Sequence, residues 1–347
     1  MPTTYAIPNG STAFAATLWT GDGTNPRTIT NTVNGVSLQP DLVWVKARSN
    51  AYDHTLYDSI RGATNYLISN STAAEQSAAN TLQAFNSNGF QVGGSNFTNS
   101  GSVTYVGWQW KANGAPVTNT AGSITSQVSA NTAAGFSIVT WTGTGANATV
   151  GHGLGVAPRM MILANRGTTH DTIVYHASLP SASYRIYLNL TDAQDAGAAT
   201  SFNSLAPTSS VINLGSNLYT NGSGYQMVAY CFAAVPGYSA FGSYTGNGST
   251  DGPFCYTGFR PRFVMTKCSS STGDWHITDT SRYPTNSSTS MGYLDANTNG
   301  VEGNYNIYDG LSNGFKVRDN GSQVNGSGAT YIYMAFAENP FKYANAR

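Results

Sequence analysis

Trp19-Thr20-Gly21-Asp22-Gly23 returns as Trp141-Thr142-Gly143-Thr144-Gly145 and again as Tyr244-Thr245-Gly246-Asn247-Gly248. A strand-like run precedes each copy: Phe14 to Leu18, Phe136 to Thr140 and Phe241 to Ser243. Each is followed by a proline heading a β-rich segment: Pro40 to Lys46, Pro158 to Leu163 and Pro261 to Lys267. The copies also close alike. Asn88-Gly89-Phe90 matches Asn313-Gly314-Phe315, and aromatic strands follow at Tyr105 to Trp110, Tyr225 to Tyr230 and Tyr331 to Phe336. The Thr-Gly turns lie 122 and then 103 residues apart, and the closing tyrosines 120 and then 106. Two independent spacings agree, so the chain reads as three copies of one unit.

Within a copy, short β-branched and aromatic runs alternate with Gly, Asn and Ser clusters, the pattern of an all-β sandwich or barrel. Asn-Gly pairs supply the positive φ of tight turns. The first and last strands of a copy are apolar and about 90 residues apart, and their pairing would join its ends as in a jelly roll. Alternation in the closing strands predicts one face in the core and one toward solvent. The expected fold is therefore all-β, with three tandem jelly-roll β-sandwich modules at 13–114, 135–237 and 238–347. Residues 1–12 form an N-terminal arm, and residues 115–134 read as an extended polar tether. The Ala-rich segments Thr72 to Phe85 and Thr191 to Phe202 are candidate short helices, the second equally readable as a polar loop because Gly197 interrupts it.

Composition narrows the function. Of 347 residues, 16 are Lys or Arg and 16 Asp or Glu, giving zero formal net charge, while Thr, Ser and Asn number 41, 37 and 33. A neutral chain argues against a nucleic-acid-binding surface or a polybasic membrane patch. No apolar run approaches a membrane span, and the first residues lack the basic and apolar regions of a secretory signal. Cys231, Cys255 and Cys268 have no metal or redox spacing and read as free, buried thiols.

Catalytic patterns are missing. The three glutamates, Glu75, Glu302 and Glu338, each lack the neighbouring acid that a paired-carboxylate glycosidase strand requires. Asp192 and Asp195 read as capping residues. Gly151-His152-Gly153-Leu154-Gly155 lacks the strand and helix of a dinucleotide loop and reads as a turn. No metal set, phosphate loop or cofactor motif stands out. Asp53-His54, His170-Asp171 and Asp274 with His276 form a recurrent acid/imidazole pair. Adjacent strand residues face opposite ways, so the pair reads as structural, with a buried imidazole bonded to a strand edge. The remaining chemical signal is aromatic: rings beside Asn, Asp and Ser suit sugars, which present an apolar CH face and a hydroxyl edge. Trp275 and its neighbours Asp274 and His276, together with Trp108 and Trp110, are all candidate carbohydrate-binding residues.

These motifs resemble a repeat of tailed-bacteriophage structural proteins. The resemblance rests on Thr20 to Gly23, Gln39 to Lys46, Asp53 to Gly62, Asn88 to Phe90 and Ala335 to Phe341. The second copy departs from it, having Tyr175-His176-Ala177 in place of the Tyr-Asp-Ser-x-Arg-Gly run. The resemblance implies a concanavalin-like lectin sandwich and a virion component, such as a tail fibre, a receptor-binding protein or a capsid-surface fibre. The expectation that follows is a non-enzymatic adhesin on the virion surface, made in host cytoplasm and released by lysis. It would be homo-oligomeric, would bind host-surface glycan, and would dock to other virion proteins through residues 1–12. The alternative is a capsid decoration or tail structural protein without adhesion.

Overall fold

The computed structural model describes residues 6–33, 35–286 and 292–340. The chain is all-β, with antiparallel sheets and two short helices among the described residues, Ala198–Phe202 and Leu218–Asn221. Three large sheets follow one another along the chain and share a strand order. In the first, Phe14–Thr20 pairs with Thr104–Trp110, which pairs with Leu42–Ala47; Thr55–Asp58, Asn65–Ile68 and Gln76–Ser77 complete it. The second places Phe136–Thr142, Gln226–Phe232, Met160–Asn165, Ile173–His176 and Ile186–Tyr187 in the same sequence. The third repeats it with Ser239–Thr245, Thr330–Pro340, Phe259–Cys268, Trp275–Asp279, Gly292–Asp295 and Gly303–Asn304. A two- or three-stranded sheet accompanies each large one. First and last strands pair as the sequence suggests, with Phe14 opposite Trp110 and Phe136 opposite Phe232.

The repeated Thr-Gly turn has a repeated anchor. Asn99, Asn221 and Asn325, each fully buried, take a backbone N–H of the turn at the side-chain oxygen and donate from the side-chain nitrogen to its far end. A Cβ on Gly21, Gly143 or Gly246 would run into the carbonyl oxygen of Ser100, Gly222 or Gly326. The glycine that makes the motif visible is thus required by close backbone approach.

One expectation fails in an informative way. The large sheets do not turn a face to solvent: all six residues of Leu42–Ala47 and of Met160–Asn165 are buried. One face carries the smaller sheet, as where Ile29, Leu82, Phe90 and Val92 pack on Val43, Val45 and Tyr57. The opposite faces of all three large sheets meet in one core. There Phe14 lies 5.5 Å from both Phe263 and Phe336, and Trp110 lies 6.0 Å from Phe232.

The sheets join in a closed circuit. Glu75 N–H donates to the Arg166 carbonyl, Gln194 N–H to that of Ser269 and Glu302 N–H to that of Arg48, at 2.8–3.0 Å. The first junction buries Asp58 and Arg61 against the Tyr230 hydroxyl. The third repeats this device with Asp279 and Arg282, and the Trp108 indole donates to Asp279 at 2.9 Å. Burial opposes ionisation of Asp279, but Arg282 and the indole hold its carboxyl below the ordinary value. At the second junction His176 replaces the aspartate, and its Nε2 lies 3.1 Å from the Tyr333 carbonyl.

Several local expectations are corrected. Ser126–Asn131, read as tether, is a strand along Phe136–Thr142 with Val128 opposite Val139, because Val128 has an apolar core to enter. Thr72 to Phe85 is not helical: Leu82–Asn86 is a strand, with Leu82 fully buried. In the second Ala-rich segment only Ala198–Phe202, just past Gly197, is helical. Within the arm, Ile7 is buried and Gly10–Thr12 forms a 3-10 turn; residues 1–5 lie outside the described residues.

Candidate functional site

The rings singled out from sequence are interior. Trp108, Trp110 and Trp275 are at most 1% exposed, so they offer no face to a sugar. Each is used instead for packing: Trp110 sits among Phe14, Phe263 and Phe336, and the Trp275 indole donates to the Tyr187 carbonyl at 2.8 Å. They are corrected as contact residues, because closing the circuit buries the face that alternation assigned to solvent. Trp19 and Trp141 are core as well. Cys231, Cys255 and Cys268 are free and buried, and burial pushes the Cys231 and Cys255 thiols up to about 12.

The acid/imidazole pair resolves into two different things. Asp53, Asp171 and Asp274 occupy one repeated position, each accepting from an asparagine amide, Asn70, Asn189 or Asn297, at 2.6–2.7 Å. The same asparagines accept the next backbone N–H, of His54, Thr172 and Trp275. This clasp is structural. The histidines do not share a position. His54 is fully buried, its Nδ1 accepting from the Trp44 indole at 2.9 Å, and burial takes its pKa well below the ordinary value. His170 is half-buried against Tyr219.

His276 differs from both. It is 4% exposed and lines a cavity of about 180 Å³, bounded also by Tyr293, Tyr305, Ile307, Asp319 and Gln323. Strand register sets its position: His276 lies opposite Asp295, and its Nδ1 is 2.6 Å from Asp295 Oδ1. That contact is poorly aligned as a hydrogen bond, and neither ring nitrogen has a bonded partner among the described residues. Tyr293 meets the imidazole edge-on at 4.9 Å, and its own ring packs against Gly303, where a Cβ would lie 2.6 Å from the ring. Tyr305, 64% exposed, lies nearly parallel to Tyr293 with centroids 6.2 Å apart.

Through Tyr305 and Asp319 the cavity adjoins an open cleft of about 600 Å³, lined also by Asn306, Asp309 and Arg318. Arg318 Nε lies 2.5 Å from Asp309 Oδ2, and Nη1 lies 3.6 Å from Asp251. Lys316 holds Asp251 at 2.8 Å; its hydrogen bond and charge keep the Asp251 carboxyl below the ordinary value. The Asn306 side-chain oxygen is buried and unbonded. Asp319 accepts from Gly321 N–H at 2.7 Å and has no ion-pair partner among the described residues. Gln323 accepts Asp274 N–H at 2.8 Å. Of the sequence candidates, then, His276 lines this space and Asp274 borders it through Gln323, while the three tryptophans lie elsewhere. Sequence reasoning missed Tyr293, Tyr305, Asp309, Arg318 and Asp319. The usable signal was the tyrosine-bearing stretch Tyr293 to Tyr308, where Glu302 follows Arg282 by 20 positions against 14 from Arg61 to Glu75.

Among the described residues no group of three or more His, Cys, Asp or Glu side chains is placed to hold a metal ion, and no helix is long and apolar enough to cross a membrane. The arrangement is suited to binding: near-parallel aromatic rings beside unsatisfied amide, imidazole and carboxylate groups.

No curated protein and no solved structure gives a significant match to the chain. One family model matches residues 9–340, and by that match the chain belongs to the DUF7483 family, a domain of unknown function.

Proposed function

We propose that the chain is a structural protein of a tailed-bacteriophage particle, displayed on the virion surface, that adheres to host-surface carbohydrate. In this reading each large sheet with its smaller companion is one concanavalin-like jelly-roll module, and three tandem modules close on each other. The shared strand order supports the modular reading, and the resemblance of the repeated motifs supports the virion reading. The observation that carries adhesion is the third-sheet cleft, where the exposed Tyr305, stacked on a half-buried Tyr293, stands among amide, carboxylate and imidazole groups. Apolar ring faces with polar edges match the two-sided chemistry of a sugar. A neutral, hydroxyl-rich exterior keeps such contacts insensitive to salt.

The test is a glycan array together with adsorption of the purified, labelled protein to host cells. Binding to a defined set of glycans, competed by the free sugar, is expected; no binding in either assay would overturn adhesion. A capsid decoration or tail assembly role is favoured by one observation: the corresponding faces of the first and second sheets are filled by Tyr66 with Phe97 and by Tyr175 with Phe202. Copy number separates the two readings, with hundreds per particle for decoration and about a dozen for a fibre. Docking to the particle would then use the arm's outward residues Ala6 and Pro8, since Ile7 faces the chain's own core.

A further inference from the structure

We propose that the third-sheet cleft is specific for an uncharged pyranose, a neutral hexose or N-acetylhexosamine, and discriminates against uronic and sialic acids. This rests on the adhesion reading above and names its ligand class.

Charge is the first argument. Arg318 is the one arginine or lysine among the described residues lining the two adjoining spaces, and Asp309 and Asp251 already occupy it; His276, the other group there that can carry positive charge, already faces the Asp295 carboxylate. Asp319 remains without a countercharge where cavity and cleft meet. A sugar carboxylate entering there would meet an uncompensated like charge and no free guanidinium, the arrangement opposite to an acid-sugar site. A hydroxyl, by contrast, donates well to a carboxylate.

Satisfaction of polar groups is the second. His276 Nε2 and Asn306 Oδ1 are buried without partners, and a buried polar atom left without a hydrogen bond is destabilising. A ring bearing several hydroxyls can supply both donor and acceptor to such groups. The cavity is far larger than the ~10–15 Å³ one ordered water requires. Shape is the third. The Tyr305 ring is 64% exposed at the mouth of the cavity, stacked on Tyr293 with planes 18° apart, and so offers a supported aromatic face to the CH face of a pyranose.

The experiment uses the full chain and titrates methyl pyranosides, neutral, N-acetylated, uronic and sialic, by saturation-transfer NMR and calorimetry. Neutral or N-acetylated glycosides should bind at least tenfold more tightly than uronides. Tyr305→Ala, at an exposed position that folding does not need, should weaken binding at least tenfold. Asp319→Asn should narrow the gap between neutral and acidic sugars. Equal affinity for uronides, or undiminished binding by both variants, would overturn this inference while leaving adhesion standing at another site. Absence of binding to every sugar, together with negative array and adsorption results, would overturn both.

Discussion

The first and third large sheets follow the same strand order, yet they use the face under their smaller sheets differently. Register superimposes Thr55 on His276 and Ile68 on Asp295, since Leu42 pairs with Asp58 as Phe263 pairs with Asp279. In the first sheet that region is filled: Tyr57 lies 5.7 Å from Tyr66, and Tyr66 5.7 Å from Phe97. In the third sheet the same region holds an imidazole, a carboxylate and an unfilled cavity. The second sheet, with Ile173 opposite Tyr187, is also filled and is sealed by Arg185 stacked over Tyr187 and Tyr219. A scaffold used three times has been kept dense twice and opened once. The difference lies in two cross-strand side chains and one longer connection.

The strongest way to break this comparison is to hollow out the filled side. Tyr57→Ala should cost about 3–5 kcal/mol, as large buried aromatics do, read as a shift of the urea midpoint at unchanged slope. A loss below about 1 kcal/mol would show that the first sheet is not densely held. Next comes acid stability. Burial lowers the His176 pKa to about 4, while the unfolded chain protonates near the ordinary 6.5. Between those values the unfolded state binds more protons, so stability present above pH 6.5 is lost as pH falls toward 4, by roughly 3 kcal/mol. His176→Gln should flatten this fall in denaturation curves from pH 7 to 4, and a slope that persists in full would assign the loss to other groups.

A smaller effect is expected from making the third sheet like the first. His276→Thr with Asp295→Ile replaces two poorly satisfied polar groups and should raise stability by about 1 kcal/mol while abolishing glycan binding; retained binding would detach the cleft from the comparison. Smallest of all, Tyr305→Ala should move the unfolding free energy by no more than about 0.5 kcal/mol, so its effect on sugar binding reads recognition alone. A drop comparable to that of Tyr57→Ala would mean the exposed ring is structural.

Much of the architecture was legible because it rests on local chemistry. The Thr-Gly turns, the Pro-headed strands and the closing aromatic strands all form strands or turns where the repeats place them. What could not be read is what depends on how the sheets meet. Trp108 and Trp110 carry the alternation of a half-exposed strand, and only contact with Asp279 and Phe263 of a distant sheet buries them. The histidines illustrate a second limit. His54 and His276 look alike beside their aspartates, but register gives one an indole partner and sets the other against a carboxylate at a cavity, its Nε2 unbonded. Asn99, Asn221 and Asn325 were invisible among 33 asparagines because their role is defined by a turn about 77 residues away.

The circuit of junctions also sets a timetable for biosynthesis. The indole of Trp108 and its acceptor Asp279 stand 171 positions apart, and a ribosome adding about 5–20 residues per second needs roughly 10–30 s to deliver the second after the first. Throughout that interval the face carrying Phe14 and Trp110 lacks its Phe263 and Phe336 neighbours, and Trp110 can be covered only by Phe232 of the second sheet, so the shared core closes last.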